Sequence, residues 1–195
     1  CSEILQYGDG VERDMKEALK YCKMAIDKGS AKAMYKYALN YELGDGVTAN
    51  KNEALKYFIM AANKGIVKAM VKSAEMMSNG EGVAINKKEA AKYYQMAANK
   101  GESLSMYNLA VMLSNGDGIP ENKAEAAKYY KMAADKNDID AVFRYAEIKR
   151  NGDEGVDENP EEAFKYFKKA ADQGDLESIK NCAEMLEDGI GVDEN

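Results

Sequence analysis

Asn86-Lys-Lys-Glu89-Ala-Ala-Lys-Tyr-Tyr94-Gln-Met-Ala-Ala-Asn-Lys-Gly101 recurs thirty-six residues later as Asn122-Lys-Ala-Glu125-Ala-Ala-Lys-Tyr-Tyr130-Lys-Met-Ala-Ala-Asp-Lys-Asn137. Thirty-six residues earlier it reads Asn50-Lys-Asn-Glu53-Ala-Leu-Lys-Tyr-Phe58-Ile-Met-Ala-Ala-Asn-Lys-Gly65. A fixed period of this size marks a repeat array, in which each unit buries its apolar face only by stacking on its neighbours.

Working outward from this stretch divides the chain into units. A partial repeat spans 1–30, full repeats span 31–66, 67–102, 103–138 and 139–175, and a final partial repeat spans 176–195. The unit 139–175 carries one extra residue, because Gly152-Asp-Glu-Gly155 stands where the others have Gly-x-Gly. The array reads as one domain. Its first unit begins part-way through a helix, at Ile4-Leu5-Gln6-Tyr7 before Gly8-Asp9-Gly10-Val11. Asn195 falls at the position of Asn159, the cap of a helix, so the pattern predicts a segment of a longer array.

Each unit reads as two helices. In the first, apolar residues recur at helical spacing: Met34, Tyr37, Ala38 and Tyr41, then Met70, Ser73, Ala74 and Met77, then Met106, Leu109, Ala110 and Leu113. Ala at 38, 74, 110, 146 and 183 suits close helix approach. Gly44, Gly80, Gly116, Gly152 and Gly189 fit a left-handed residue that ends the helix. Val47, Val83, Ile119, Val156 and Val192 then supply an apolar anchor in the turn.

The second helix is predicted to open on a capping box. The pairs are Asp14/Glu17, Asn50/Glu53, Asn86/Glu89, Asn122/Glu125 and Asn159/Glu162. In such a box the first side chain accepts from the N–H three residues on, and the Glu reaches back to the cap's own N–H. Pro160 stands at the first helical position, where its missing N–H costs nothing. Gly29, Gly65, Gly101 and Gly174 close these helices, and Asn137 takes that place once.

Composition agrees with an all-α fold. The 195 residues are 46% hydrophobic, with only two prolines, and Ala, Lys, Glu, Met and Leu dominate. The longest apolar runs are a few residues, so no membrane insertion is expected. Three cysteines, Cys1, Cys22 and Cys182, follow no disulfide or metal spacing, which leans towards a reducing, cytoplasmic compartment, with the ER lumen as the alternative. The net charge of −7 is uneven: residues 138–195 hold 17 acids against 7 bases, while residues 1–137 hold 17 against 20. A nucleic-acid surface is not expected from that balance.

Nothing in the chain proposes chemistry. There is no histidine, the commonest general base and zinc ligand. No nucleophile elbow, phosphate loop or dinucleotide fingerprint occurs. Gly44-Asp45-Gly46 and its copies recur at every helix pair and lack alternating calcium ligands, so they read as structural. No catalytic residue, cofactor or metal is therefore expected, and Cys22, in the Phe58 column, reads as packing.

With these residues in view, the chain resembles the Sel1-like repeat family, a relative of tetratricopeptide repeats. In unit 31–66 the matching positions are Ala33, Tyr37-Ala38, Tyr41, Gly44-Asp45-Gly46-Val47, Ala54, Tyr57, Ala61-Ala62 and Gly65. Departures are Ala38, where the family commonly has Gly, and Lys149 at a usual Tyr position, which points to looser packing in unit 139–175. The resemblance implies an α-solenoid, a right-handed α-α superhelix, with first helices lining a concave groove and second helices the convex side. It also implies an adaptor that assembles protein complexes. A cysteine-rich subgroup places cysteines at positions that here are Ala62/Met70, Ala98/Met106 and Ala134/Val142, so its disulfides and β-lactam binding are not expected.

By analogy with tetratricopeptide repeats, groove-facing positions of the first helix fall on the columns of residues 32, 35, 39, 42 and 43, and two of these columns supply the candidate partner contacts. One reads Tyr35, Val71, Tyr107, Phe143 and Lys180, and the other Leu39, Glu75, Val111, Glu147 and Glu184. The first column is larger and more apolar than a solvated position requires, the mark of a contact stripe, unless those residues pack on the neighbouring repeat's first helix. With Asp140, Glu177, Glu187 and Asp188 gathered towards the far end, the expected partner is a basic or amphipathic polypeptide. The alternatives are a regulatory or targeting arm of a larger enzyme or ubiquitin-ligase-type complex, and a structural spacer in a large assembly.

Overall fold

In the computed structural model of the protein, residues 14–191 are described. They fall into two compact units that divide between residues 100 and 101. The first holds α1 (Met15–Asp27), α2 (Ala31–Leu43), α3 (Lys51–Asn63), α4 (Val67–Asn79) and α5 (Lys87–Ala98). The second holds α6 (Ser103–Asn115), α7 (Lys123–Ala134), α8 (Ile139–Asn151), α9 (Pro160–Ala171) and α10 (Leu176–Glu187). Within each unit every helix packs on the next in sequence. The fold is all-α. Tyr7, Val11, Val192 and Asn195, used above to place the partial repeats, lie outside the described residues, as does Cys1.

The helix ends follow from a few side chains. Asp14, Asn50, Asn86, Asn122 and Asn159 each accept from the N–H of the Glu three residues on, at 2.9–3.1 Å. The reciprocal half of the expected box is absent at the four caps from Asn50 onward. The cap N–H donates instead to a carbonyl at the end of the preceding first helix: Asn50 to Tyr41 (2.9 Å), Asn86 to Met77 (2.8 Å), Asn122 to Leu113 (2.8 Å) and Asn159 to Lys149 (2.6 Å). A helix's last carbonyls lack intrahelical partners, so they outcompete a mobile glutamate for that donor. Glu53 and Glu89 pair outward with Lys56 and Lys92.

Asn137, at φ 66°, is the only non-glycine with positive φ among the described residues, and it stands where the other second helices end in Gly. Gly44, Gly80 and Gly116 are left-handed caps, as expected. Gly152 differs: its φ is 69° but its ψ is 168°. The extra residue that follows forms a closed turn, with Asp153 and Val156 exchanging backbone hydrogen bonds at 3.0 and 2.8 Å.

The core is built from small and aromatic residues in alternation. Ala38, Ala74, Ala110 and Ala146 are fully buried between helices, and Phe58 and Phe167 are sealed beneath them. Ala183 is exposed, because among the described residues no second helix follows α10. Ser73, Ser105 and Ser178 are also fully buried, and none of their hydroxyls has a hydrogen-bond partner. Ser105 shares its column with Ala33, Ala69 and Ala141. An unpaired buried hydroxyl is a net cost, so Ser105→Ala is expected to raise stability by about 1 kcal/mol, read from chemical unfolding. A loss of stability would show that the hydroxyl is satisfied in solution.

Candidate partner-binding face

The first contact column stands on the second helices. Tyr35 of α2 lies 5.6 Å, ring to ring, from Phe58 of α3. Tyr107 of α6 meets Tyr130 of α7 at 5.8 Å, and Phe143 of α8 meets Phe167 of α9 at 5.7 Å. These three rings and Val71 are half-buried, whereas Lys180 is exposed. Each ring is thus held from behind by its own repeat's second helix. Edge and tilted contacts of this kind fix ring orientation beyond simple burial.

Cations from the next first helix border these rings. In the first unit, Lys72 of α4 approaches Tyr35 and forms an ion pair with Glu42 of α2 at 3.3 Å. Burial pushes the Tyr35 phenol up, and Lys72 opposes the shift. In the second unit, Arg144 of α8 lies beside Tyr107 and pairs with Glu147 at 3.0 Å. Arg150 reaches across to α10, bonding Asn181 and lying 3.6 Å from Glu184.

The second column is partly neutralised by these bases. Leu39, Glu75, Val111, Glu147 and Glu184 are all half-buried. Glu147 faces Arg144, Glu184 faces Arg150 and Lys180, and Glu75 helps hold the Lys72 ammonium charged. The acidic character of this end therefore rests on Asp140, Glu177, Glu187 and Asp188, which are exposed. The structure places the paired columns side by side in each unit.

One cluster was not legible from single columns. Lys131 of α7 lies over the rings of Tyr145 (α8) and Tyr166 (α9), 4.8 and 4.9 Å from their centroids. Its ammonium donates to Glu162 at 2.7 Å and to the Tyr166 hydroxyl at 3.0 Å. Tyr145 donates to the same Glu162 oxygen at 3.0 Å, and Tyr166 to Asp135 at 2.8 Å. Burial alone would raise the Glu162 carboxyl, but the hydrogen bonds from Lys131 and Tyr145 and the Lys131 and Lys149 charges hold it below its ordinary range. Lys149 lies 3.9 Å from the other Glu162 oxygen and donates to the Asp157 carbonyl at 2.7 Å. Lys149, the departure from the usual Tyr, is half-buried and ties the end of α8 to the following loop. Only the coincidence of Lys131, Tyr145 and Tyr166 in adjacent repeats could have signalled it.

The chemistry of the remaining groups is quiet. Cys22 is buried and its thiol donates to the Ala33 carbonyl at 3.3 Å. Burial pushes both Cys22 and Cys182 up, which leaves them protonated and poor nucleophiles. Among the described residues no group of three or more Cys, Asp or Glu side chains is arranged to hold a metal ion. No described helix is long and apolar enough to cross a membrane.

Comparison with known proteins agrees with this architecture. A Sel1 repeat protein from Oxalobacter formigenes is 30% identical, with a TM-score of 0.69, over 94% of this chain and 75% of that one. A protective antigen with an SLR fold from uropathogenic Escherichia coli, c5321, is 24% identical with a TM-score of 0.59. That match covers 95% of this chain and 48% of the antigen. No curated protein is similar enough to count as a relative. The Sel1 repeat family model matches residues 1–30, 31–66, 67–102, 103–138 and 139–175. With five successive matches along it, the chain belongs to the Sel1 repeat family.

Proposed function

We propose that this chain is a non-catalytic scaffold that binds a partner polypeptide along its first helices. Sel1 repeat proteins generally act as protein-interaction scaffolds. The observation that carries the reading to particular residues is the half-buried aromatic column, backed ring against ring by the second helices. Aromatic side chains already fixed in place lose little entropy on contact, which is how binding hot spots are built. In the second unit Tyr107, Val111 and Phe143 offer apolar surface, and exposed Asp140, Glu177, Glu187 and Asp188 supply negative charge beyond it. The partner that fits is an amphipathic segment with apolar residues followed by basic ones.

Peptide-array binding tests this. Tyr107→Ala is expected to weaken a positive peptide by about 2 kcal/mol, roughly thirtyfold. Its ring is only half-buried, so helicity should persist. Reversing Glu177 and Glu187 to Lys is expected to weaken basic peptides selectively, and more so at low salt. Binding indifferent to both changes would sink the proposal and favour a spacer.

A further inference from the structure

The Lys131 cluster of the second unit has a counterpart in the first, three repeats earlier. Tyr145 and Tyr166 meet edge to face, 4.8 Å apart at 75°, and the Lys131 ammonium lies over both rings. Tyr37 of α2 and Tyr57 of α3 hold the same two columns with the same geometry, 4.8 Å apart at 82°. The acids recur as well, with Glu53 in the column of Glu162 and Asp27 in that of Asp135. Burial pushes the Tyr57 phenol up and the Asp27 charge adds to the shift, so Asp27 borders that ring. A cation over the negative faces of aromatic rings is held by attraction to their quadrupoles, more strongly where water is partly excluded. The second unit shows that a lysine ammonium fits this frame.

The two units differ in their cations. Lys23 of α1 holds the column of Lys131 but is exposed. The column of Lys149 holds Tyr41, whose ring lies parallel to that of Tyr57 at 6.0 Å and edge-on to Tyr37 at 5.2 Å. Lys56 stands over Tyr57 at 5.6 Å, as Lys92 stands over Tyr93 at 5.8 Å, a contact between sequence neighbours. A third ring thus replaces one of the two lysines that neutralise the second-unit cluster. Tyr41 and Tyr57 are half-buried, so both reach solvent. We propose that Tyr37, Tyr41 and Tyr57, with Asp27 and Glu53, form a seat for a lysine side chain of a partner polypeptide, the seat that Lys131 fills from within the chain in the second unit. None of these residues belongs to the two contact columns, so the seat is a separate point of attachment.

Titrating the full chain, isotope-labelled at tyrosine, with butylammonium at constant ionic strength tests the proposal. The ring signals of Tyr37, Tyr41 and Tyr57 are expected to shift and saturate, with half-effect on the order of tens of millimolar for a single cation–π seat. Butanol, of the same length without the charge, is expected to leave them in place. A capped Gly-Lys-Gly tripeptide is expected to act at least as strongly as the amine, and its norleucine counterpart not at all. Tyr145 and Tyr166 are expected to respond only after Lys131→Met. Tyr57→Phe, which keeps the ring face, is expected to keep the first-unit response, and Tyr57→Leu to lose it with helicity unchanged. An equal effect of butanol, a silent tripeptide, or a response that survives Tyr57→Leu would each overturn the proposal. So would first-unit rings that stay still, or that respond only after Lys23→Met, which would mean that α1 fills the seat itself.

Discussion

Phe167→Ala is expected to lower stability by about 3–5 kcal/mol, the range for deleting a buried aromatic ring. Phe167 is fully buried in α9, and its ring supports Phe143 of α8 at 5.7 Å. Its neighbours along the helix, Ala163 and Ala170, are themselves fully buried and carry no side chain that could swing into the gap. In a repeat array, stability is a sum of local terms, so the loss should not spread evenly. Hydrogen exchange is expected to accelerate over α8, α9 and α10 while α2 to α4 keep their protection. Phe167→Leu, which keeps most of the volume, is expected to cost less than about 1.5 kcal/mol. An alanine variant destabilised by less than that would contradict the packing described for α8 and α9. The substitution should also weaken any peptide that depends on Phe143, since the ring would lose its backing.

Glu162→Ala is expected to cost about 2 kcal/mol, a charged hydrogen-bond value discounted because Lys131 is partly exposed and can rehydrate. One carboxylate oxygen accepts from both Lys131 and Tyr145, and Lys149 lies beside the other. Its removal leaves Tyr145, which is buried, without that acceptor. The folded pKa of Glu162 lies below the ordinary glutamate value of 4.5. A carboxyl lowered in this way contributes stability that is fully present above the unfolded value and is lost as pH falls through the folded one. The wild-type chain is thus expected to lose part of the α7 to α9 packing from pH 4.5 downward. Glu162→Gln should start less stable and show a shallower acid limb in urea melts. An unchanged acid limb would mean that the cluster contributes nothing to folding.

The fold was legible because its signals repeat in phase. Asn50, Asn86, Asn122 and Asn159 all cap as their spacing predicts, and even the one substitution, Asn137 for glycine, keeps the positive φ. These are local rules, set within four residues of the side chain that obeys them. What was not legible depends on two repeats meeting. The fate of the cap N–H groups turns on a carbonyl nine or ten residues away, and the Lys131 cluster turns on α7 meeting α8 and α9. The contact columns fall between these cases. Periodicity put Tyr35, Tyr107 and Phe143 on one face, but it gave no hint that Phe58, Tyr130 and Phe167 stand behind them. Nor did it show that Glu147 and Glu184 face arginines from the array itself.

The bond from each cap N–H back to the preceding helix has a kinetic meaning. It links Tyr41 to Asn50, Met77 to Asn86 and Leu113 to Asn122, closing a loop of nine residues each time. Closing so short a loop costs little chain entropy, and folds dominated by such contacts form fast. Each helix pair can therefore latch as soon as its own thirty or so residues are free, without waiting for distant sequence. During synthesis the chain would grow by adding finished hairpins to a finished stack, which keeps the span of unpaired apolar surface to about one repeat at any moment.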